Sequence, residues 1–166
     1  VAYSSLSHVG LLCAGLFAAN TYGISGSLYQ AFAHAILVVS MLYIVGALKE
    51  RTGTSELGAM GGLKGKLPRL AALFFLVMVN AIALPLTQSF VGEWLMFTGL
   101  WQVSGWYAFF GLTTIVLGAI YVFYAYQRVM LGPGRANMQL QDASTRDHLY
   151  LVPLIAITLI LGVYPA

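Results

Sequence analysis

Asn80-Ala81-Ile82-Ala83-Leu84-Pro85-Leu86-Thr87-Gln88-Ser89-Phe90-Val91-Gly92-Glu93 joins two apolar runs and carries the one formal charge between Arg69 and Arg128. Pro85 has no N–H, and in a continuous helix its ring would strike the carbonyl of Ala81. Leu84, preceding a proline, is pushed out of the helical region. Thr87, Gln88 and Ser89 supply groups that can cap the freed backbone, with Ser89 the expected N-cap of the second half. The stretch therefore predicts two helical halves, 68–83 and 89–104, interrupted near Pro85. Irregular backbone at membrane depth is tolerated only inside protein or along a wet cavity. In transporters such breaks mark ion or substrate sites, although a plain packing kink has the same sequence signature.

The membrane reading comes from composition. Of 166 residues, 60% are apolar or aromatic and only 8% carry a charge, against roughly 25% in soluble domains. That excludes a disordered chain, a nucleic-acid binder with a basic face and an ordinary soluble globule. Apolar runs at 2–19, 27–48, 106–131 and 149–164 flank the broken segment. Each approaches the roughly 20 residues that a spanning helix needs. No alternation of strand type appears, so the expected class is all-α, a polytopic transmembrane bundle. Residues 1–166 form a single transmembrane domain in this reading. Val1 opens in mid-pattern, with neither a basic leader nor a cleavage site, so the chain reads as a piece of a longer protein.

Charge position settles the number of crossings. The basic residues fall in two groups, Lys49, Arg51, Lys64, Lys66 and Arg69, then Arg128, Arg135 and Arg146. The positive-inside rule puts both groups on the cytoplasmic side. An even number of crossings must separate them. Counting 68–104 as one interrupted crossing satisfies that parity; counting it as two does not. Five crossings are expected, the third discontinuous. Glu50, Glu56, Asp142 and Asp147 lie in the basic loops and are expected to be solvated. Gly61-Gly62 and Gly132-Pro133-Gly134 read as turns.

Glu93 is different from the other acids. A charge at mid-membrane costs at least about 2.5–3.5 kcal/mol, so its default role is functional, here the uptake and release of a proton. The competing role is a neutral carboxyl bonded to another helix. His8 and His34 are the other ionisable residues inside apolar runs. Ser4 and His8 are four apart, as are Gln30 and His34, so each helix presents a polar stripe. Two such stripes suit a proton path if they face each other or water. No metal spacing, phosphate loop, nucleophile elbow or Cys pair is present, and Cys13 stands alone. Trp101, Trp106 and Tyr107 read as an interfacial belt. Tyr121, Phe123, Tyr124 and Tyr126 read as packing residues rather than a quinone site.

Three segments carry a resemblance. Ala2-Tyr3-Ser4-Ser5-Leu6-Ser7-His8-Val9-Gly10 resembles the AYSS-x-x-H-x-G signature of the antiporter-like membrane subunits of respiratory complex I. Gln30-Ala31-Phe32-Ala33-His34 resembles the next helix of that family. Leu84-Pro85-Leu86-Thr87, followed by Phe90-Val91-Gly92-Glu93, resembles its broken-helix segment, L-P-x-T…F-x-G-E. A Glu at position 93 is typical of the M-type branch, where sister subunits and many Mrp-type antiporters carry Lys.

The resemblance implies the C-terminal part of a longer NADH–quinone oxidoreductase membrane subunit, covering its tenth to fourteenth helices. It implies Glu93, His34 and His8 as proton-transfer residues, and Pro85, Thr87 and Gly92 as the helix break. Ser4 and Gln30 become neighbours on the polar axis. No cofactor is expected in this chain; flavin, iron–sulfur clusters and quinone belong to partner subunits. The expected partners are other membrane-arm subunits and the lipid bilayer of the bacterial inner membrane, with no nucleic acid. Many relatives have Gly where this chain has Leu86. Alternatives of the Mrp or membrane-hydrogenase antiporter type, and a non-pumping scaffold, remain open on the sequence.

Overall fold

A computed structural model describes residues 1–133 and 140–165. All regular structure among them is helical: α1 Ala2–Phe17, α2 Thr21–Thr52, α3 Pro68–Ala81, α4 Gln88–Val103, α5 Gly105–Tyr126 and α6 Thr145–Val163. Two short 3₁₀ turns cross the α2–α3 connection, and a π-type turn over Gln127–Leu131 prolongs α5. α2, α5 with its π turn, and α6 are each long and apolar enough to cross a membrane. Gly134 and Arg135 lie outside the described residues.

The interval left between the apolar runs 2–19 and 27–48 is helical from Thr21. Asn20 explains the difference. Its side chain accepts from the Gly23 amide, capping α2, and its Nδ2 donates to the Gly99 carbonyl at 2.8 Å. A cap satisfies an amide that would otherwise need water, so the helix begins earlier than apolarity alone suggests.

The break is built from two local devices. α3 ends in a Schellman arrangement: the Leu84 amide donates to the Val79 carbonyl, the Ala83 amide donates to Asn80, and Ala83 takes φ +50°. The Thr87 amide then donates to the Leu84 carbonyl at 3.1 Å, closing a turn with Pro85 and Leu86 at its centre. Leu86 has φ +78°, the value a type II turn requires at its third position and one that favours glycine. Thr87 occupies the N-cap position of α4, not Ser89. The Thr87 hydroxyl donates to Leu84 instead of accepting from α4, and Ser89 lies inside the first turn.

α3 and α4 form one interrupted track along α2. Gly99 lies against Gly23, Met96 against Gly26, and Gly92 against Gln30, while Asn80 and Val77 share a small cavity with Ser40. As α2 advances from 23 to 40, its partner retreats from 99 to 77, so both halves run antiparallel to it. At 1.5 Å per residue the halves span only about 21 and 24 Å, short of a bilayer core of about 30 Å. The glycines have a clear reason. A Cβ on Gly26 would sit 2.6 Å from the Met96 amide, and one on Gly99 2.6 Å from Gly23 Cα.

Both basic segments meet at one end. Arg51 on α2 pairs with Asp147 on α6 and donates to the Gln141 carbonyl. Asp142 accepts from the Arg69 and Leu70 amides at the start of α3, at 3.0 and 3.2 Å. Arg146 pairs with Glu50 at 3.0 Å. Two of the four acids expected to be solvated are therefore structural. Asp147 is fully buried, forms a capping box with Ser144 and accepts from the Tyr43 hydroxyl at 2.9 Å. Asp142 supplies the oxygens that the free amides of α3 need.

A large apolar cluster, including Leu37, Ile44, Leu70, Met78 and Met130, occupies the basic half of the bundle. A smaller one, Leu11, Met96, Leu100 and Ala108, occupies the other. Between them lies a polar band. α5 packs on one side only and exposes Phe109, Phe110, Val116, Leu117 and Ile120, as does an apolar helix facing lipid or another helix. Of the four aromatics read as packing residues, Tyr126 is buried, with its ring 5.3 Å from that of Phe74, whereas Tyr124 is exposed.

Candidate proton-transfer site

The polar band brings three helices to one point. Glu93 sits on α4, one turn and a half past the break, and is 3% exposed. His8 on α1 places Nδ1 3.6 Å from Glu93 Oε1. The His8 and His34 rings are 5.3 Å apart between centroids, tilted by 42°. The two stripes thus face each other across α1 and α2, with the carboxyl at one end. The gap of 3.6 Å is slightly beyond a direct hydrogen bond, a separation that a water or a small side-chain rotation closes.

Gln30 and Gly92 fix this register. Gln30 is 1% exposed, and the space a Cβ on Gly92 would need is filled by Gln30 Oε1 and Cβ. Without a side chain at 92, α4 approaches α2 closely enough to place Glu93 one residue further beside the histidine pair. Ser4 and His34 line a common groove of about 420 Å³, which runs along α2 towards Ser55 and Met60 at the basic end. Pro85 and Thr87 lie in the break, on the α6 side. There Gly162 contacts the Leu86 and Thr87 backbone closely, leaving no room for a Cβ.

Several buried polar atoms have no protein hydrogen-bond partner: Glu93 Oε2, His34 Nδ1, both amide atoms of Gln30 and Gln88, Ser89 Oγ and Asn80 Oδ1. Buried polar groups are normally satisfied by protein or ordered water. Their concentration in one band is what a hydrated path requires, and an apolar helix interface does not. Among the described residues no group of three or more His, Cys, Asp or Glu is placed to hold a metal.

Two neighbours on α5, Thr114 and Tyr121, were missed in the sequence as part of the site. Thr114 and Tyr121 of α5, with Ser7 of α1, line a cavity of about 10 Å³ against His8 and Glu93. The paired threonines Thr113-Thr114 inside an apolar helix were the available signal. Asn80 was another, as the one amide side chain in the run 68–83.

Known proteins resemble the chain in sequence and in fold. The family described as "NADH:quinone oxidoreductase/Mrp antiporter, TM" matches residues 1–118. NADH-quinone oxidoreductase subunit M of Rhodobacter capsulatus is 36% identical over the whole chain, which covers 33% of that protein. The subunit M of Mycobacterium tuberculosis is 36% identical over 99% of the chain and is 30% covered. The chain thus spans about a third of the length of these curated relatives. Respiratory complex I from Thermus thermophilus contains a chain that superposes with a TM-score of 0.94 at 30% identity, over 99% of this chain and 35% of that one. An archaeal membrane-bound sulfane sulfur reductase shares the fold at a TM-score of 0.80 and 22% identity, covering 98% of this chain and 32% of its own.

Proposed function

Since the chain belongs to the NADH:quinone oxidoreductase/Mrp antiporter transmembrane family, we propose that it is the C-terminal part of an M-type subunit of NADH:quinone oxidoreductase and carries protons within the membrane arm. Its partners are then the other membrane-arm subunits, which hold the flavin, iron–sulfur clusters and quinone. This chain does no redox chemistry. Its place is the bacterial inner membrane, with the end that gathers Arg51, Asp142 and Arg146 towards the cytoplasm by the positive-inside rule.

One observation carries the reading: Glu93, His8 and His34 are contiguous in a polar band inside the bundle. A proton on the Glu93 carboxyl passes to the His8 imidazole, leaving a carboxylate beside an imidazolium. His8 then passes a proton to His34, and the carboxylate is left to reload. Each transfer moves one charge by a few ångströms. At an effective dielectric of about 20, two unit charges 4 Å apart interact by about 4 kcal/mol. A change of charge within about 4 Å of the cluster therefore has enough leverage to shift where the proton rests. The buried amide of Gln30 supports either charge by reorienting its dipole.

The test is Glu93→Gln in the assembled complex. Gln keeps the size and can still donate and accept, but has no titratable proton. Expected is strongly reduced quinone-linked electron transfer and membrane potential in vesicles, with normal assembly. Pumping at the wild-type rate would remove Glu93 from the proton path. A requirement for Na⁺ in place of that outcome would favour the antiporter alternative.

A further inference from the structure

We infer that a second polar chamber, on the α6 side of the break, binds a single water molecule that relays protons between the break and Glu93. The relay part rests on the reading of Glu93 above; the binding site does not. The chamber offers about 20 Å³ of room and is lined in part by Ser40 of α2, Asn80 of α3, Thr87 of the break and Thr158 of α6. One water needs roughly 10–15 Å³ and two to four polar partners. Four polar residues from four segments, all at most 5% exposed, meet that requirement.

The chemistry of the lining selects a donor. Ser40 Oγ donates to the Ile36 carbonyl at 2.8 Å, Thr87 Oγ1 to Leu84 at 2.6 Å, and Thr158 Oγ1 to Leu154 at 3.0 Å. Each hydroxyl has committed its proton to its own backbone and keeps only acceptor lone pairs. Asn80 Oδ1 is a further acceptor, buried and without a protein partner. The C-terminus of α3, at Ala81, and the N-terminus of α4, at Thr87, bring opposite ends of two helix dipoles to the break. A neutral water, which donates two hydrogen bonds and can accept one from the Asn80 amide, fits this lining.

The chamber also has a connection. Thr87 begins α4, and Ser89 precedes Glu93 by one helical turn on the same face. Ser89 Oγ and the Gln88 amide are buried without protein partners. Along α4 they stand between Thr87 of the chamber and the Glu93 carboxyl. In the relay step the water oxygen forms one O–H bond with the arriving proton and breaks another as a proton leaves. Atoms and charge balance, and no electrons are exchanged.

The experiment uses the intact complex. A map at a resolution that shows other internal waters should contain one peak within hydrogen-bond distance of Asn80 Oδ1 and at least one of the three hydroxyls. Asn80→Leu should remove it. Thr158→Val should lower the proton translocation rate several-fold with assembly intact, and Thr158→Ser, which keeps the hydroxyl, should retain it. If Thr158→Val does not assemble, Asn80→Leu supplies the same reading. A wild-type map with no peak overturns the proposal, and so does wild-type translocation in an assembled Thr158→Val or Asn80→Leu complex. Failure of the Glu93 reading is separate: it shows as full pumping in Glu93→Gln and leaves the peak in place.

Discussion

His8 Nδ1 lies 3.6 Å from Glu93 Oε1, a contact across the α1–α4 interface between residues more than eighty positions apart in the chain. The His34 ring meets that of His8 at a tilt of 42°, and of the two only His8 pairs with Glu93 among the described residues. His34 is therefore the outer member of the cluster. Replacing His34 with Ala in the full-length subunit should slow proton-coupled turnover while the complex still assembles. A histidine that only packs would instead lower thermal stability, by about 0.5–1.5 kcal/mol for the lost ring contact with His8, with turnover unchanged. Turnover and melting temperature measured on the same preparation separate the two.

Leu86 should be a poor residue for its place. Its φ of +78° lies in the left-handed region, which costs an L-residue roughly 1–2 kcal/mol. Leu86 is also 64% exposed, so little packing is lost on its removal. Leu86→Gly should raise stability by up to about 1 kcal/mol after the entropy of the new glycine is deducted. A thermal shift in detergent measures it, and a lowered melting temperature would show that the turn is held by Leu86 contacts instead.

The Arg51–Asp147 pair joins α2 to α6 with the carboxylate fully buried. Arg51→Ala leaves that carboxylate without its cation, and a broken buried pair costs about 3–5 kcal/mol. The double variant Arg51→Met with Asp147→Leu should recover part of the loss, because it also removes the stranded charge. Assembly yield and thermal unfolding of the three proteins report the difference.

Asp142 gives the basic end a pH dependence. Partial burial works to raise its pKa, but amide donors from Ala143, Arg69 and Leu70 and the Arg69 charge outweigh it and hold the group below 3.8. A depressed pKa in the folded state means stabilisation that is fully present above the unfolded value of 3.8 and is lost as pH falls through the lower folded value. Asp142→Asn should lower stability at neutral pH and flatten this acid limb. An acid limb unchanged in the variant would exclude Asp142 as its source.

The helix break, the all-helical membrane class and the meeting of both basic segments at one end could be read from residue order. Each follows from local or additive chemistry. Pro85 removes a donor wherever it stands, and charge parity needs only the position of Lys and Arg along the chain. The polar stripes of His8 and His34 were visible for the same reason, since residues four apart share a helical face.

What waited for the tertiary structure was every relationship across helices. The expected solvation of Asp142 and Asp147 failed because nothing near them in sequence announces Arg51 or the open amides of α3. The convergence of His8, His34 and Glu93 depends on how closely α4 approaches α2, which Gly92 and Gln30 set between them. The polar chamber depends on three hydroxyls, each donating to a backbone carbonyl, and the Asn80 amide coming together from four segments. Propensity and periodicity act over a few residues, whereas these contacts arise from packing between surfaces brought together only when the bundle closes.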